Sequence, residues 1–490
     1  MRGPWSWPGW SWPGWGWPGW STKTTSPRPP SGWLTLLTML CCGCQGIGQP
    51  LGDSAKRPPS MVILLADDAG YSDFGFTGLT SIQTPNIDQL AAQGVVCEQG
   101  YVCASVCSPS RAGLLTGRYP QRFGHEMNLP AGSGLGLPLD QQTIADRLKA
   151  LGYATGAVGK WHLGEDPPYR PLQRGFDQFD GFLGGSRSYH DRPALPRRTV
   201  WLDGEVPAPL PKPYVTDAIG HSAANFIRQH RDQPFFLYVA FNAVHTPMHA
   251  LDQDLQEVPP QLERKRRELL AMTIALDRAV GEVLQTLEQE GLSDDTIVMF
   301  LNDNGGATNN ASDNGPLRGM KGSKFEGGIR VPWSVRWPSR IAAGSRLCQP
   351  ISTLDISTTL LAAAGADPRS VADLDGIDLT AALTGVTDGS DHPDLFWRRS
   401  IAAAVRSGPW KLIRVEGLPT QLFQLVDDPG ERCDLAAEQP QVVADLSKRL
   451  ARWEQQLIDP LWETGKVWRK NQLEKHRPGF FGREQERSRP

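Results

Sequence analysis

No stretch of this 490-residue chain stays apolar for the roughly 18 residues that a bilayer-spanning helix needs, so nothing in it reads as a transmembrane segment. Neither sign of charge dominates: 50 Lys and Arg stand against 53 Asp and Glu, a net of −3. That balance lacks the basic footprint of a nucleic-acid binder and gives no reason to expect an acidic membrane surface as partner. Cysteine is scarce, and behind residue 55 it occurs only as Cys97, Cys103, Cys107, Cys348 and Cys433. The count is odd, so even in an oxidising compartment one thiol is left over. A cysteine consumed by modification would explain this, and so would a cytosolic protein with free thiols. What the chain does have, 39% hydrophobic residues over a long sequence, is enough for a large core and two or three structural units.

An unusual leader precedes that body. Residues 5–19 repeat a five-residue Trp/Pro/Gly unit, and Trp5, Trp7, Trp10, Trp12, Trp15, Trp17, Trp20 and Trp33 make up eight of the 17 tryptophans. Repeated Pro-Gly breaks helix and strand alike, so the segment reads as an aromatic adhesive tail or, in preference, as a non-structural extension. Residues 34–44 are apolar, too short to span a membrane but of the length of an export signal's core, and Cys44 is a weak lipidation candidate. Residues 1–55 are leader and linker on this reading. The chain is expected to be exported to the cell envelope or beyond, with a cytoplasmic location left open.

From residue 60 helices and strands alternate. Residues 60–66 are a continuous apolar run, as a strand buried on both faces of a parallel sheet requires, and they end on Asp67 and Asp68. Thr84 and Pro85 start a helix with Ile87, Leu90 and Ala91 on one face and Gly94 as its stop; Val95 begins the next extended piece. A helix over 141–151, with Ile144, Leu148 and Leu151 on one side, precedes a strand over 153–158 that delivers Lys160 and His162. A helix from Thr216 to about 230 precedes a strand over 234–241 leading to His245, and a long helix over 265–290 precedes a strand over 296–301 ending on Asp303 and Asn304. This alternation predicts an α/β fold, a large mostly parallel sheet sandwiched by helices. In such sheets ligands bind beyond the carboxyl ends of the strands, and four strands here end on side chains with chemistry to offer.

From about residue 390 the character changes. Short strands at 401–406, 410–414 and 421–425, a turn at 427–431 and a helix over 440–457 predict a small antiparallel sheet with a closing helix. The expected division is a catalytic domain over 56–385, a C-terminal subdomain over 386–465 and a mobile polar tail over 466–490.

Cys107-Ser108-Pro109-Ser110-Arg111, running on to Leu114-Leu115-Thr116-Gly117-Arg118, is the stretch around which the rest is organised. Ser108 suits an N-cap, Pro109 a first helical position and Gly117 a left-handed stop, so a short helix is expected to begin just after Cys107. Unpaired amides at a helix start, with Arg111 one turn later, favour an anionic group beside that cysteine. Asp67, Asp68, Asp303 and Asn304 offer only oxygen ligands, a set that suits Ca2+ or Mg2+ rather than zinc. Each alone is more often a turn residue or a solvated charge, but two such clusters each follow a buried strand. Lys160 and His162 are two apart and share one side of an extended segment, and His245 titrates near neutrality, as a proton donor should. Lys321 and Lys324 lie in a glycine-rich stretch, 319–328, that lets backbone approach a ligand.

The Cys-x-Pro-Ser-Arg motif with Leu-Leu-Thr-Gly-Arg behind it resembles the signature of the type I, formylglycine-dependent sulfatases of the alkaline phosphatase superfamily, and the likeness extends over about residues 60–460. It implies that Cys107 is oxidised to formylglycine (3-oxoalanine) by a formylglycine-generating or anaerobic sulfatase-maturing enzyme. The hydrated aldehyde would then be the nucleophile in hydrolysis of a sulfate ester. The resemblance further implies one divalent cation, usually Ca2+, held by Asp67, Asp68, residue 107, Asp303 and Asn304. It gives Arg111 contacts to the formylglycine and the cation ligands, Lys160 and Lys324 the grip on sulfate, His162 the deprotonation of the diol and His245 the protonation of the leaving alcohol. Lys324 is selected over Lys321 by its spacing to Ile329-Arg330-Val331-Pro332. The implied partner is a small-molecule or saccharide sulfate ester, not nucleic acid, and the oligomeric state is left open. Hydrolysis of phosphate diesters or phosphonates on the same fold is the main alternative, and an inactive glycan-binding relative a lesser one. A two-metal phosphatase is disfavoured, since it would need further His and Asp ligands and a Ser or Thr at position 107.

Overall fold

The computed structural model describes residues 57–191, 199–387, 392, 394–463 and 465–477. The leader, with its export and lipidation candidates in residues 1–55, lies outside them. Ser60–Ala66 (β1) occupies the whole of the first apolar run, and all of it is buried. Its alternation divides it between two cores: Val62, Leu64 and Ala66 enter one, Met61, Ile63 and Leu65 the other. That is the pattern of a strand covered on both faces.

The chain continues through Pro85–Ala92 (α1), Val95–Tyr101 (β2), Cys107–Thr116 (α2), Ile144–Ala150 (α3), Ala154–Lys160 (β3) and Gln178–Phe182 (β4). The short Leu202–Asp203 (β5) and Val206–Pro207 (β6) precede Val215–Gln229 (α4), Phe235–Ala240 (β7), Asp252–Gln256 (α5), Arg264–Gln289 (α6) and Thr296–Asn302 (β8). Glu326–Ile329 (α7), Trp333–Arg336 (β9), Ser345–Ser352 (β10), Asp355–Ala363 (α8) and Thr380–Leu383 (α9) follow. Among the described residues ten strands pair in the order β10-β2-β9-β8-β1-β7-β3-β4-β5-β6. The stretch β8-β1-β7-β3-β4 is parallel throughout. The sheet as a whole is mixed, because β9 runs antiparallel to both of its neighbours, β2 and β8, and β5 antiparallel to β4.

Helices α1, α4 and α6 cover the Val62 face, and α2, α3 and α8 the Met61 face. Helix α3 starts on a capping box between Thr143 and Asp146; Leu151, expected on its apolar face, lies past its end and is 43% exposed. Since β1, β3, β7 and β8 share one direction, the segments that follow them emerge along a single edge. Asp67 and Asp68 follow β1, Lys160 closes β3, the loop to His245 follows β7, and Asp303 and Asn304 follow β8.

Leu395–Arg399 (β11), Ala402–Ser407 (β12), Trp410–Val415 (β13) and Gln421–Gln424 (β14) form a separate antiparallel sheet in chain order. Ala403, Val405, Leu412 and Leu422 on one face pack against Leu446, Leu450 and Trp453 of Pro440–Glu454 (α10). Ala402, Ala404, Ile413 and Phe423 on the other meet Tyr101, Phe325, Ile329 and Val331, so the small sheet lies against the chain between β8 and β9. The segment expected to be a mobile tail from residue 466 includes a helix, Lys466–His476 (α11), with Gln472 and His476 buried. His476 Nε2 accepts from the Lys324 N–H at 2.9 Å, and the His476 ring stacks on Phe325 with centroids 5.5 Å apart. Those contacts, not an apolar stripe, hold the helix, which is why periodicity did not show it.

Strands β3 and β4 approach so closely at Gly159 and Gly181, which face each other in register, that a methyl at 181 would overlap the Gly159 carbonyl. Gly181→Ala should therefore lower the unfolding free energy by about 1–3 kcal/mol, seen as a lower urea midpoint at unchanged slope. An unaltered midpoint would contradict this packing.

Candidate active site

Cys107 is the first residue of α2, a helix buried along its whole length. Val106, not Ser108, stands at the N-cap, so the helix takes in the cysteine itself. The Ser108 hydroxyl has other work: it lies 2.7 Å from His125 Nε2 and donates to the His162 carbonyl at 2.8 Å. Gly117 closes the helix in the left-handed conformation, φ 66°, as expected. One turn into the helix, the fully buried Arg111 donates from Nε and Nη2 to Asp303 Oδ2 at 2.9 and 2.8 Å. Its Nη1 donates to the Lys160 carbonyl at 3.1 Å, and Nη2 lies 3.6 Å from Asp67 Oδ2.

The other rim residues close around the same point. Lys160 Nζ lies 2.5 Å from Asp67 Oδ2. Asp68 Oδ1 accepts from Asn304 Nδ2 at 2.7 Å and from Lys321 Nζ at 2.5 Å, and Asp68 Oδ2 is 3.5 Å from His245 Nε2. Cys107 Sγ is 3.6 Å from Asp67 Oδ1 and 2.9 Å from Lys321 Nζ. His245 Nδ1–H donates to the Thr246 carbonyl at 2.6 Å, which leaves Nε2 facing the cluster. Asp68 and His162 both hold left-handed backbone, φ 63° and 59°, a strain on the order of 1 kcal/mol each. Asn310 Nδ2 and Ser312 Oγ fix Asp68 there by donating to its carbonyl at 3.1 and 2.6 Å. His162 has turned out of the extended segment it was expected to share with Lys160; its ring lies against Gly185, and its buried Nδ1 has no hydrogen-bond partner among the described residues.

Lys324 is a correction. Its Nζ donates to Ser105 Oγ at 3.1 Å, its backbone N–H to His476, and the charges around it are Arg399, Glu126, Lys411 and Lys475 rather than the acidic cluster. Burial, then those cations, push its ammonium down to about 7. Lys321 is the lysine that reaches Cys107. The physical reason is loop shape: Gly319 and Gly322 take φ 90° and 86° on either side of it, and the Gly322 N–H donates to the Ser105 carbonyl at 2.7 Å, turning residue 321 toward Cys107. A lysine bracketed by two glycines was the available signal. Tyr189, in a stretch that sequence alone could not place, donates to the Asn242 and His245 carbonyls at 2.6 and 2.8 Å and steadies the His245 loop.

The electrostatics are those of crowded, paired charge. Burial alone would raise Asp67, yet Lys160, His245, Arg111 and Lys321 hold it well below the usual carboxylate range; Lys321 and His245 do the same for Asp68. Burial and the Asp67 charge push Asp303 up to about 6, and burial and Asp303 push the Cys107 thiol up to about 12. Burial depresses both His162 and His245, with Lys160 adding to the first and Asp68 opposing in the second. As a plain thiol Cys107 is therefore protonated and a poor nucleophile.

A hard cation fits this donor set. Asp303 Oδ1 and Asn304 Oδ1 are buried without partners among the described residues, and ligand atoms of Asp67, Asp68, Cys107 and His245 all lie within 4.8 Å of one another. Like-charged carboxylates in contact, with spare oxygens, are what a divalent ion relieves.

The profile of the Sulfatase family matches residues 59–366. The chain belongs to the sulfatase family. This sulfatase is 34% identical over 406 residues to the N-acetylgalactosamine-6-sulfatase of Canis lupus familiaris, covering 78% of this chain and 75% of that one. It is 36% identical over 436 residues to arylsulfatase A of Homo sapiens, covering 81% and 83%. The solved structure of Ps i-CgsB in complex with k-i-k-neocarrahexaose matches it with a TM-score of 0.80 at 34% identity, over 86% of this chain and 99% of that one. For the sulfatase, Lys321→Ala should lower kcat/KM on an aryl sulfate by about 10²–10³-fold, as loss of one preorganised charge does, and by more than Lys324→Ala. The reverse ranking in the same initial-rate assay would return Lys324 to the site.

Proposed function

We propose that this sulfatase removes sulfate from a sulfated saccharide, through a formylglycine made from Cys107 and one divalent cation, Ca2+ before Mg2+, held by Asp67, Asp68, residue 107, Asp303 and Asn304. The observation that carries the reading is the position of Cys107: buried at a helix N-terminus, with Lys321 Nζ 2.9 Å and Asp67 Oδ1 3.6 Å from its sulfur. A relative named N-acetylgalactosamine-6-sulfatase and a similar structure solved in complex with k-i-k-neocarrahexaose support a saccharide as the alcohol component.

The hydrated aldehyde supplies the nucleophilic oxygen, and the cation supplies positive charge for the sulfate oxygens. The chain's own residues do the rest. Lys160 and Lys321 flank residue 107 with fixed ammonium groups, so an anion arriving there meets charge already in place. Arg111 ties α2 to Asp303 and the Lys160 carbonyl, which fixes residue 107 against the sheet edge. His245, its Nδ1–H committed to Thr246, presents Nε2 as the group that protonates the leaving alcohol. His162, whose buried Nδ1 has no partner among the described residues, is the group that takes a proton from residue 107 so that sulfate leaves and the aldehyde returns. Cys107 is 1% exposed in the folded chain, so a maturing enzyme must act on it before the fold closes.

The test compares initial rates on N-acetylgalactosamine 6-sulfate, an aryl sulfate and an aryl phosphate diester, using enzyme whose residue 107 has been checked by peptide mass. Sulfate esters should turn over and the phosphate diester lag, and Cys107→Ala should lower sulfate hydrolysis by about 10⁴-fold or more, as removal of a nucleophile does. A Cys107→Ala enzyme with near-normal turnover, or a preference for the phosphate diester, would overturn the reading.

A further inference from the structure

Arg399, the last residue of β11, is 4% exposed. It stands on the inward face of that strand with Leu395 and Trp397, where a charge has no apolar reason to be. Its Nε is buried without a partner, and its guanidinium makes no hydrogen bond or ion pair with any described residue. Burying an arginine without a counter-anion is costly, and native chains keep such a group where a ligand provides the missing charge. Arg399 lines a cavity of about 290 Å³ together with Met127, Asn128, Trp462 and Trp468.

The cavity's walls touch the chain on either side of Cys107 and Lys321. A side-chain carbon at Gly322 would lie 3.1 Å from Arg399 Nη1 and 3.3 Å from Lys475 Nζ, and Gly322 follows Lys321, whose ammonium touches Cys107. On the other wall, Asn128 Oδ1 accepts from the Ser108 N–H at 3.0 Å while its carbonyl accepts from Trp462 Nε1 at 3.3 Å. Trp462 also packs edge-on against His125, the partner of Ser108, at 4.7 Å between ring centroids. Trp468 lies beneath the guanidinium, 5.2 Å from ring centroid to Cζ, and remains 47% exposed. Glu463, an exposed residue, also lines the cavity. A buried guanidinium with no ion pair among the described residues, and two indoles beside it around a cavity, is built to take a saccharide ring that bears an anion.

We propose that Arg399, Trp462 and Trp468 form a second subsite, which receives an anionic group, sulfate or carboxylate, carried beside the scissile ester on the same sugar or on its neighbour. This rests on the saccharide reading above and adds to it a preference for doubly anionic substrate. The unpaired guanidinium is the specificity determinant, and the tryptophans are the platform for the ring.

The test measures kcat/KM of wild type, Arg399→Met and Arg399→Lys on three probes. These are N-acetylgalactosamine 6-sulfate, N-acetylgalactosamine 4,6-disulfate, and a disaccharide in which a uronic acid adjoins N-acetylgalactosamine 6-sulfate. Wild type should prefer at least one doubly anionic probe over the first; which one it prefers separates a sulfate from a carboxylate. Arg399→Met should reduce that preference at least tenfold, and Arg399→Lys should restore part of it. Since the guanidinium has no hydrogen-bond or ion-pair partner among the described residues and meets only the Trp468 ring, Arg399→Met should also melt no lower than wild type. No preference in wild type, an unchanged preference in Arg399→Met, or a much lower melting temperature would each overturn the proposal. If wild type hydrolyses no sulfate ester, the saccharide-sulfatase reading fails on its own. The subsite is then judged by calorimetric binding of the same three probes, where equal affinity of wild type and Arg399→Met overturns it.

Discussion

Six charges buried around one sulfur atom set the terms for the rest of the structure. Asp67, Asp68 and Asp303 face Arg111, Lys160 and Lys321, and except at Lys321 their side chains are almost wholly out of water. Ions taken out of water are tolerable only when each is paired and hydrogen-bonded, and removing one partner leaves its neighbour stranded. The six therefore hold one another in place, and with them the elements that carry them. Arg111 pins α2 to the end of β8, Lys160 pins the end of β3 to the end of β1, and Lys321 brings in the loop between β8 and α7. Three carboxylates balance three cations; a divalent ion bound among them would tip the cluster positive, and an anionic ester would answer that charge.

The C-terminal sheet is part of this arrangement rather than an appendage. Lys411 on β13 bridges Glu326 and Glu431 at 2.8 and 2.9 Å, burying a charge of its own just past the glycine-rich loop. Burial and the Lys411 charge act in opposite directions on Glu326, and Lys411 with Arg406 wins, holding that carboxyl down at about 2. From α11, Lys475 Nζ donates to the Lys321 carbonyl at 2.5 Å and His476 accepts from the Lys324 N–H. The loop that presents Lys321 to Cys107 is thus held from behind by residues more than 150 positions further along the chain. Catalytic edge, supporting sheet and terminal helix form one packed body.

Much of this was legible in the sequence. Strand β1 was readable residue for residue because burial on both faces demands an unbroken apolar run, and the chemistry at the ends of β1, β3, β7 and β8 followed from a shared strand direction. What escaped was set by tertiary contact. Strand β9 has four residues, too few for a period, and β10 is interrupted by a register shift near Pro350. Helix α11 is polar almost all round and held by His476 and Gln472. The α2 cap was misassigned because Ser108, a good capping residue by type, is engaged by His125 and His162. The spacing to Ile329-Arg330-Val331-Pro332 favours Lys324; the positive φ of Gly319 and Gly322, which aims Lys321 instead, belongs to the folded loop.

The measurement that bears most directly on the central claim is metal analysis of the purified full chain beside an Asp303→Asn variant, both exchanged into cation-free buffer. The buried charges around residue 107 predict about one calcium or magnesium ion retained per wild-type chain and a clear loss in the variant. A wild-type chain that retains no stoichiometric divalent ion, or a variant that retains it equally well, would contradict the account.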